Sequence, residues 1–174
     1  MIIIWNKEKI SKLTSDEKRQ WFEVLNYRLE EDRNISPSDP LVGEKQKEIR
    51  DDYFRYLDSC ATDKNFYKYY VLMLRNKIIS VCRINVYENK YLLEGLQTHK
   101  DYFRKGYASK LIVALIQDIY KDGIETLFSE ARTWNVASNQ LQQKIGFIQY
   151  GQDELNYLYR LDVKAYNNKS QPLS

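Results

Sequence analysis

Leu96-Gln97-Thr98-His99-Lys100-Asp101-Tyr102-Phe103-Arg104-Lys105-Gly106-Tyr107-Ala108-Ser109-Lys110-Leu111 runs an apolar strand into a short basic loop with one glycine, and from there straight into an apolar-periodic helix. That layout suits a phosphate. A helix N-terminus offers several unpaired N–H groups and about half a positive charge, so a diphosphate docks there if the backbone comes close enough. Gly106 permits the approach, and Arg104 and Lys105 add charge. Read alone, the stretch is equally compatible with a turn glycine kept for steric reasons, so its surroundings must decide.

Upstream, strands are expected over 69–75, 78–87 and 91–98, joined by turns at Asn76-Lys77 and Glu88-Asn89-Lys90, which makes an antiparallel meander. Downstream, Ala108, Leu111, Ile112, Leu115, Ile116 and Ile119 recur at helical spacing until Asp122-Gly123. A strand over 124–131 follows, and the crossover forces it parallel to the strand at 91–98. A helix over 135–145 and strands near 147–151 and 155–162 complete this part.

Before the meander, residues 2–5 read as a strand, and Thr14-Ser15-Asp16-Glu17 forms a capping box that starts a helix to Glu31, with Trp21, Leu25 and Leu29 on one face. Arg33 to Val42 holds two of the three prolines and reads as a loop. A helix over 44–57 carries Ile49, Tyr53, Tyr56 and Leu57 as its apolar stripe, and the polar tail 167–174 reads as loose.

A chain of 174 residues is one domain and buries a core without a disulfide or metal. Its two cysteines, Cys60 and Cys82, fit a reduced intracellular protein, with Cys82 a small core residue. Fifteen tyrosines suit half-buried positions along a cleft or sheet. The net charge of +3 comes from 27 basic and 24 acidic residues interleaved along the chain, so no basic tract points to nucleic acid. Met1 to Lys9 is too short an apolar run for a signal peptide, and nothing reaches the ~20 apolar residues of a membrane span. The expectation is a soluble, cytoplasmic protein.

The run Asn135-Val136-Ala137-Ser138-Asn139-Gln140-Leu141-Gln142-Gln143-Lys144-Ile145-Gly146-Phe147 follows the expected parallel strand directly. It resembles the second motif of the GNAT family of N-acetyltransferases, and Phe103 to Ala108 resembles that family's acetyl-CoA pyrophosphate loop. Order, spacing and intervening strand agree over about residues 69–162. The resemblance implies an α/β (α+β) fold over 1–166, with a mixed, mostly antiparallel sheet, a central parallel strand pair splayed apart, and flanking helices. It implies acetyl-CoA as acyl donor, with backbone near Leu96, Gln97 and Thr98 on the pantetheine arm. Amides of Phe103, Arg104, Lys105, Gly106, Tyr107, Ala108 and Ser109 would hold the diphosphate, and Asn135 and Ser138 would lie beside the arm. Three departures stand out. Phe103 replaces a usual arginine or glutamine, Thr98 and Lys100 replace valine and proline, and Gln142 replaces the tyrosine thought to protonate the leaving sulfur.

Acyl transfer from a thioester needs a neutral amine, and an amine of pKa ~10.4 needs a proton acceptor at neutral pH. Glu130, in Ser129-Glu130-Ala131-Arg132, resembles the glutamate base of bacterial N-terminal protein acetyltransferases, and Glu94 on the other strand of the gap is the second candidate. Each is equally readable as a solvated or salt-bridged strand carboxylate. Gln142 donates a hydrogen bond but transfers no proton. Tyr157 and Tyr159 are alternative acids or ordinary packing, and His99 reads first as an exposed loop residue and second as a base. The expected activity is N-acetylation of a primary amine on a small molecule or protein, by a monomer or homodimer. The alternative is a catalytically weak acyl-CoA-binding module. Acidic residues Glu30, Glu31, Asp32, Asp51 and Asp52 either attract a cationic acceptor or solvate helix faces.

Overall fold

Two hairpins set the meander. Arg75 and Asn76 adopt φ 49° and 61°, and Glu88 and Asn89 adopt φ 50° and 64°. Paired positive φ values mark the turn whose twist matches that of the flanking strands. The first turn is therefore Arg75-Asn76, not Asn76-Lys77, because Lys77 already pairs with Leu74. Lys90 likewise already pairs with Tyr87.

The computed structural model describes the backbone of residues 1–32 and 42–170 and the side chains of 1–25 and 47–169. Of the expected loop at 33–42, residues 33–41 lie outside the described residues, as do the side chains of Leu29, Glu30, Glu31 and Asp32, and Val42 already begins a helix. In chain order the elements are β1 (Ile2–Trp5), α1 (Lys7–Ile10), α2 (Ser15–Asp32), α3 (Val42–Ser59), β2 (Phe66–Leu74), β3 (Lys77–Tyr87), β4 (Lys90–Thr98), α4 (Tyr107–Lys121), β5 (Thr126–Arg132), α5 (Val136–Ile145), β6 (Ile148–Gln152), β7 (Asn156–Asp162) and α6 (Val163–Ser170). A short 3₁₀ turn, Lys100–Tyr102, precedes α4. The seven strands form one sheet in the order β1-β2-β3-β4-β5-β7-β6. Only β4 and β5 are parallel, as the crossover through α4 requires. This is the mixed sheet, flanked by helices, that the resemblance implies.

Two cores cover its faces. On one, Leu111, Ile112, Leu115, Ile116 and Ile119 of α4 are buried against Ile84, Leu93, Leu127 and Leu161. Cys82 belongs to this core, and both cysteines are buried and unbridged. On the other face, Trp5, Trp21, Phe22, Val24, Ile49 and Leu57 pack on Tyr69, Val71 and Val81. Trp21 meets Tyr69 edge-on, with centroids 6.1 Å apart. The capping box forms as read, with Thr14 N–H donating to Glu17 Oε2 at 2.8 Å and Glu17 N–H to Thr14 Oγ1 at 3.2 Å.

Tyr56 departs from the expected stripe. It is exposed, whereas Ile49 and Leu57 are buried. The tail departs too, since α6 runs through Ser170 where polar composition reads as loose. Asp162 Oδ1 accepts from Ala165 N–H at 2.7 Å, and Val163 is fully buried, so a cap and one apolar anchor hold a helix that Asn167-Asn168-Lys169 conceals. Among the described residues, no helix is long and apolar enough to cross a membrane.

Candidate active site

The parallel pair is short. Tyr91, Leu92 and Leu93 pair with Leu127, Phe128 and Ser129, and there the register ends. β4 nevertheless stays on β3 as far as Ser80↔Thr98, and β5 stays on β7 as far as Arg132↔Asn156. The two strands thus part into a fork. Each keeps its outer neighbour and presents an unpaired backbone edge to the gap, an arrangement that suits an extended ligand carrying amides.

A bulge bends β4 at the parting. Pairing steps from Val81↔Gln97 to Arg83↔Glu94, leaving Cys82 opposite both Gly95 and Leu96. Gly95 has φ 59°, and a Cβ on it would lie 3.1 Å from Arg83 Nη1. Glycine therefore serves twice, through its backbone angle and through the room it leaves for the guanidinium.

At the open end of β4, His99 Nδ1 accepts from Asp101 N–H at 3.3 Å, and its ring packs edge-on against Tyr102. This holds His99 within the turn. Arg104 is left-handed at φ 58°, and Gly106, at φ 78°, is the N-cap of α4 without a side-chain capping bond. Among the described residues, no partner takes the N–H groups from Arg104 to Ser109. A Cβ at Gly106 would meet no atom within 4 Å, so the space before the helix is open. These features fit a diphosphate. Lys105 is partly committed, its Nζ donating to the Asp101 carbonyl at 2.9 Å, while Arg104 is exposed.

Asn135 caps α5, its Oδ1 accepting from Ser138 N–H at 3.1 Å, which leaves Nδ2 unbonded among the described residues. Asn139, which the sequence reading passes over, ties the region together. Its Nδ2 donates to the Arg132 carbonyl at 3.0 Å, and its Oδ1 accepts from Tyr159 O–H at 2.9 Å. Tyr159 is fully buried, burial pushes its phenol up, and its proton is engaged. Gln142 is only 3% exposed. Its Nε2 donates to Ser129 Oγ at 2.6 Å, and its Oε1 has no partner among the described residues.

Strand alternation sorts the fork by face. Leu127, Ser129 and Ala131 point toward α4 and α5, whereas Phe128, Glu130 and Arg132 point away. Leu93 pairs with Ser129 on the helix side, so Glu94 and Glu130, each one residue past the last pair, lie on the opposite side. Glu130 is exposed and has no ion-pair partner among the described residues. Glu94 is held. Its Oε2 accepts from Asn85 Nδ2 at 2.6 Å and lies 3.5 Å from Arg83 Nε. Arg83 also approaches the Tyr69 hydroxyl at 3.4 Å and stacks 5.3 Å from the Tyr56 ring centre. Burial pushes the Tyr69 phenol and the Cys60 thiol up, and loss of water around the hydroxyl end of the otherwise exposed Tyr56 pushes its phenol up as well. These three groups stay neutral, and Arg83 and Glu94 supply the charge.

The structure thus gathers Glu94, Glu130, Leu96 to Thr98, the 103–109 loop and Asn135 around one gap, with Gln142 beneath it on the helix side. It adds Arg83, Asn85, Gly95, Ser129 and Asn139. The available signal for Arg83 and Asn85 is their polarity inside the run 78–86, which is otherwise apolar apart from Ser80.

No curated protein sequence matches the chain. Among solved structures, the acetyl-coenzyme A complex of the Campylobacter jejuni N-acetyltransferase PseH is 18% identical, with a TM-score of 0.68 over 93% of this chain and 99% of that one. The PaiA N-acetyltransferase of Thermoplasma acidophilum, in complex with coenzyme A, is 14% identical, with a TM-score of 0.66 over 93% and 99%. The ribosomal-protein-S18-alanine N-acetyltransferase of Escherichia coli is 17% identical, with a TM-score of 0.60 over 94% of each chain. These likenesses concern the fold. The profile of the acetyltransferase (GNAT) family matches residues 16–147, a span that takes in the fork, the loop before α4 and the whole of α5 through Phe147, so the chain belongs to the GNAT family.

Proposed function

We propose that the protein is an N-acetyltransferase that moves the acetyl group of acetyl-CoA, the family's acyl donor, to a primary amine. The observation that carries this reading is the fork itself, with an anion cradle at its open end and two carboxylates on the face away from α4. The N–H groups of Arg104 to Ser109 would hold the diphosphate, the free edge of β4 from Leu96 to Thr98 would bond the amide-bearing arm, and Asn135 Nδ2 would add a donor from α5.

The acceptor arrives as an ammonium at neutral pH and must lose a proton before its lone pair can attack. Glu130, accessible and without an ion-pair partner among the described residues, would take that proton. The new N–C bond then forms at the acyl carbon, the C–S bond breaks with its electron pair going to sulfur, and the acylated nitrogen sheds its second proton to solvent as the thiolate departs. A thiol of pKa ~8.5 leaves tolerably as the anion, so transfer proceeds without a proton donor at residue 142.

The Gln142 geometry favours one other reading, an acyl-CoA-binding module with little turnover, because its amide is buried and bonded to Ser129. Calorimetry with acetyl-CoA, followed by thiol release over a panel of alkylamines and peptides with free N-termini, separates the two. Binding with amine-dependent thiol release is the expected result. Binding without release from any amine would leave the module, and absence of binding would remove both.

A further inference from the structure

Arg83 and Asn85 are expensive residues to place where they are. Asn85 is 4% exposed, and the Arg83 side chain, 23% exposed, lies under α3. Both converge on the same atom, Glu94 Oε2: Asn85 Nδ2 donates to it at 2.6 Å, and Arg83 Nε lies 3.5 Å away as an ion pair without a hydrogen bond, while Arg83 Nε and Asn85 Oδ1 have no hydrogen-bond partner among the described residues. Glu94 Oε1 takes no partner among the described residues. One carboxylate oxygen is thus tied down and the other is left open at the parting of the strands. Gly95 supplies the room, since a side chain there would press on Arg83 Nη1. Across the gap stands Glu130, which is one residue past the last β5 pair just as Glu94 is one past the last β4 pair.

We propose that Arg83 and Asn85 are positioning residues that grip Glu94 by one oxygen and turn the other toward Glu130, so that the two carboxylates form a seat for the acceptor's ammonium group. This rests on the acetyltransferase reading and adds its acceptor class: amines that are protonated on arrival, as alkylamines are and arylamines are not. Two carboxylates facing one gap repel, and a cation between them relieves that repulsion. The division of labour follows. Glu94, with Oε2 already accepting, binds the ammonium. Glu130, with both oxygens free of ion pairs among the described residues, receives the proton. Besides Glu130, the groups around Glu94 among the described residues are Arg83, Asn85 and Tyr87 of β3, Tyr69 of β2, and Tyr56 and Cys60 at the end of α3.

The test compares Asn85→Ala and Arg83→Met, each alone and with Glu94→Gln, using n-butylamine and aniline as probe acceptors. With n-butylamine, each single variant should raise KM about tenfold or more while acetyl-CoA affinity stays constant. In the Glu94→Gln background the same substitutions should add less than about twofold, because they act through Glu94. Arg83→Lys should recover part of the loss. With aniline, the variants should differ from the parent by less than about twofold. Equal penalties in both backgrounds, or equal losses for both amines, would overturn the proposal. Carbon-13 NMR of glutamate-labelled protein reads the same geometry without turnover. Butylammonium should perturb both the Glu94 and Glu130 carboxyl signals, and Asn85→Ala should move the Glu94 carboxyl signal while leaving that of Glu130 in place. Perturbation of Glu130 alone would reject the seat. Wild-type protein that binds acetyl-CoA but acetylates neither amine would instead count against the acetyltransferase reading, and the NMR arms would still decide the seat.

Discussion

β4 and β5 are one strand pair with two unlike ends. At the paired end, Tyr91, Leu92 and Leu93 face Leu127, Phe128 and Ser129, and Leu93 and Leu127 are buried beneath α4. At the open end the same strands carry Glu94, Gly95, Glu130 and Arg132, and among the described residues no backbone pairing joins them. α4 spans both ends. Its C-terminal turn is clamped, with Lys68 Nζ donating to Asp118 at 2.8 Å and to Asp122 at 2.6 Å, and Tyr70 O–H to Asp118 at 2.8 Å. Its N-terminal turn, where Tyr107 packs edge-on against Tyr102, has no side-chain capping bond among the described residues. The sheet satisfies its own backbone at one end so that it can leave backbone unsatisfied at the other, where a ligand is wanted.

The strongest challenge to this contrast is Glu130→Gln at the open end. A lost general base should lower kcat by about 10²- to 10⁴-fold while the acetyl-CoA dissociation constant and the melting temperature stay put. A variant with normal turnover would assign the proton to another group. Leu127→Ala at the paired end should do the reverse and cost about 2–5 kcal/mol of unfolding free energy, since a fully buried side chain is removed from under α4. Denaturant melts measure this, and a loss below about 1 kcal/mol would mean that the paired end is not the anchor.

Gly106→Ala probes the cradle. The site has open space, so only the φ of 78° opposes the new side chain, and the cost should be about 1–2 kcal/mol, read as roughly five- to thirtyfold weaker acetyl-CoA binding by calorimetry. Unchanged affinity would show that the N-terminus of α4 does not grip the nucleotide. The smallest effect belongs to the clamp. The hydrogen bond from Lys68 holds the Asp122 carboxyl below its ordinary value, so this contribution is present above the unfolded value of 3.8 and is lost as pH falls through the folded one. Asp122 is about a third exposed, which discounts the gain to roughly 0.5 kcal/mol. The melting-temperature gap between wild type and Asp122→Asn should be visible at pH 7 and shrink progressively as pH falls below 3.8, and a gap independent of pH would assign the loss to packing.

Much of the frame is legible in the residues themselves. The spacing of Leu111, Ile112, Leu115, Ile116 and Ile119 demands a buried helix, and a helix between two strands forces them parallel, so the crossover and its glycine-bearing entry are readable without a structure. The capping box at Thr14 and the run from Asn135 to Phe147 are legible for the same reason, being local patterns with local causes. What stays hidden depends on partners far apart in the chain. Nothing near Tyr56 says that it overlies Arg83, and nothing near Gln142 says that Ser129 will take its amide. Composition alone concealed α6, because one buried valine and a capping aspartate outweigh a polar run.

The sequence by itself determined the strand and helix order, the single parallel crossover and the placement of a glycine before α4, since short-range sterics and hydrophobic period govern all three. Tertiary structure alone decided where the crossover pair stops pairing, which faces Glu94 and Glu130 share, and that β3 bonds one of them while the other has no ion-pair partner among the described residues. Register and bulges arise from pairing energies summed across strands, and no window along the chain contains that sum.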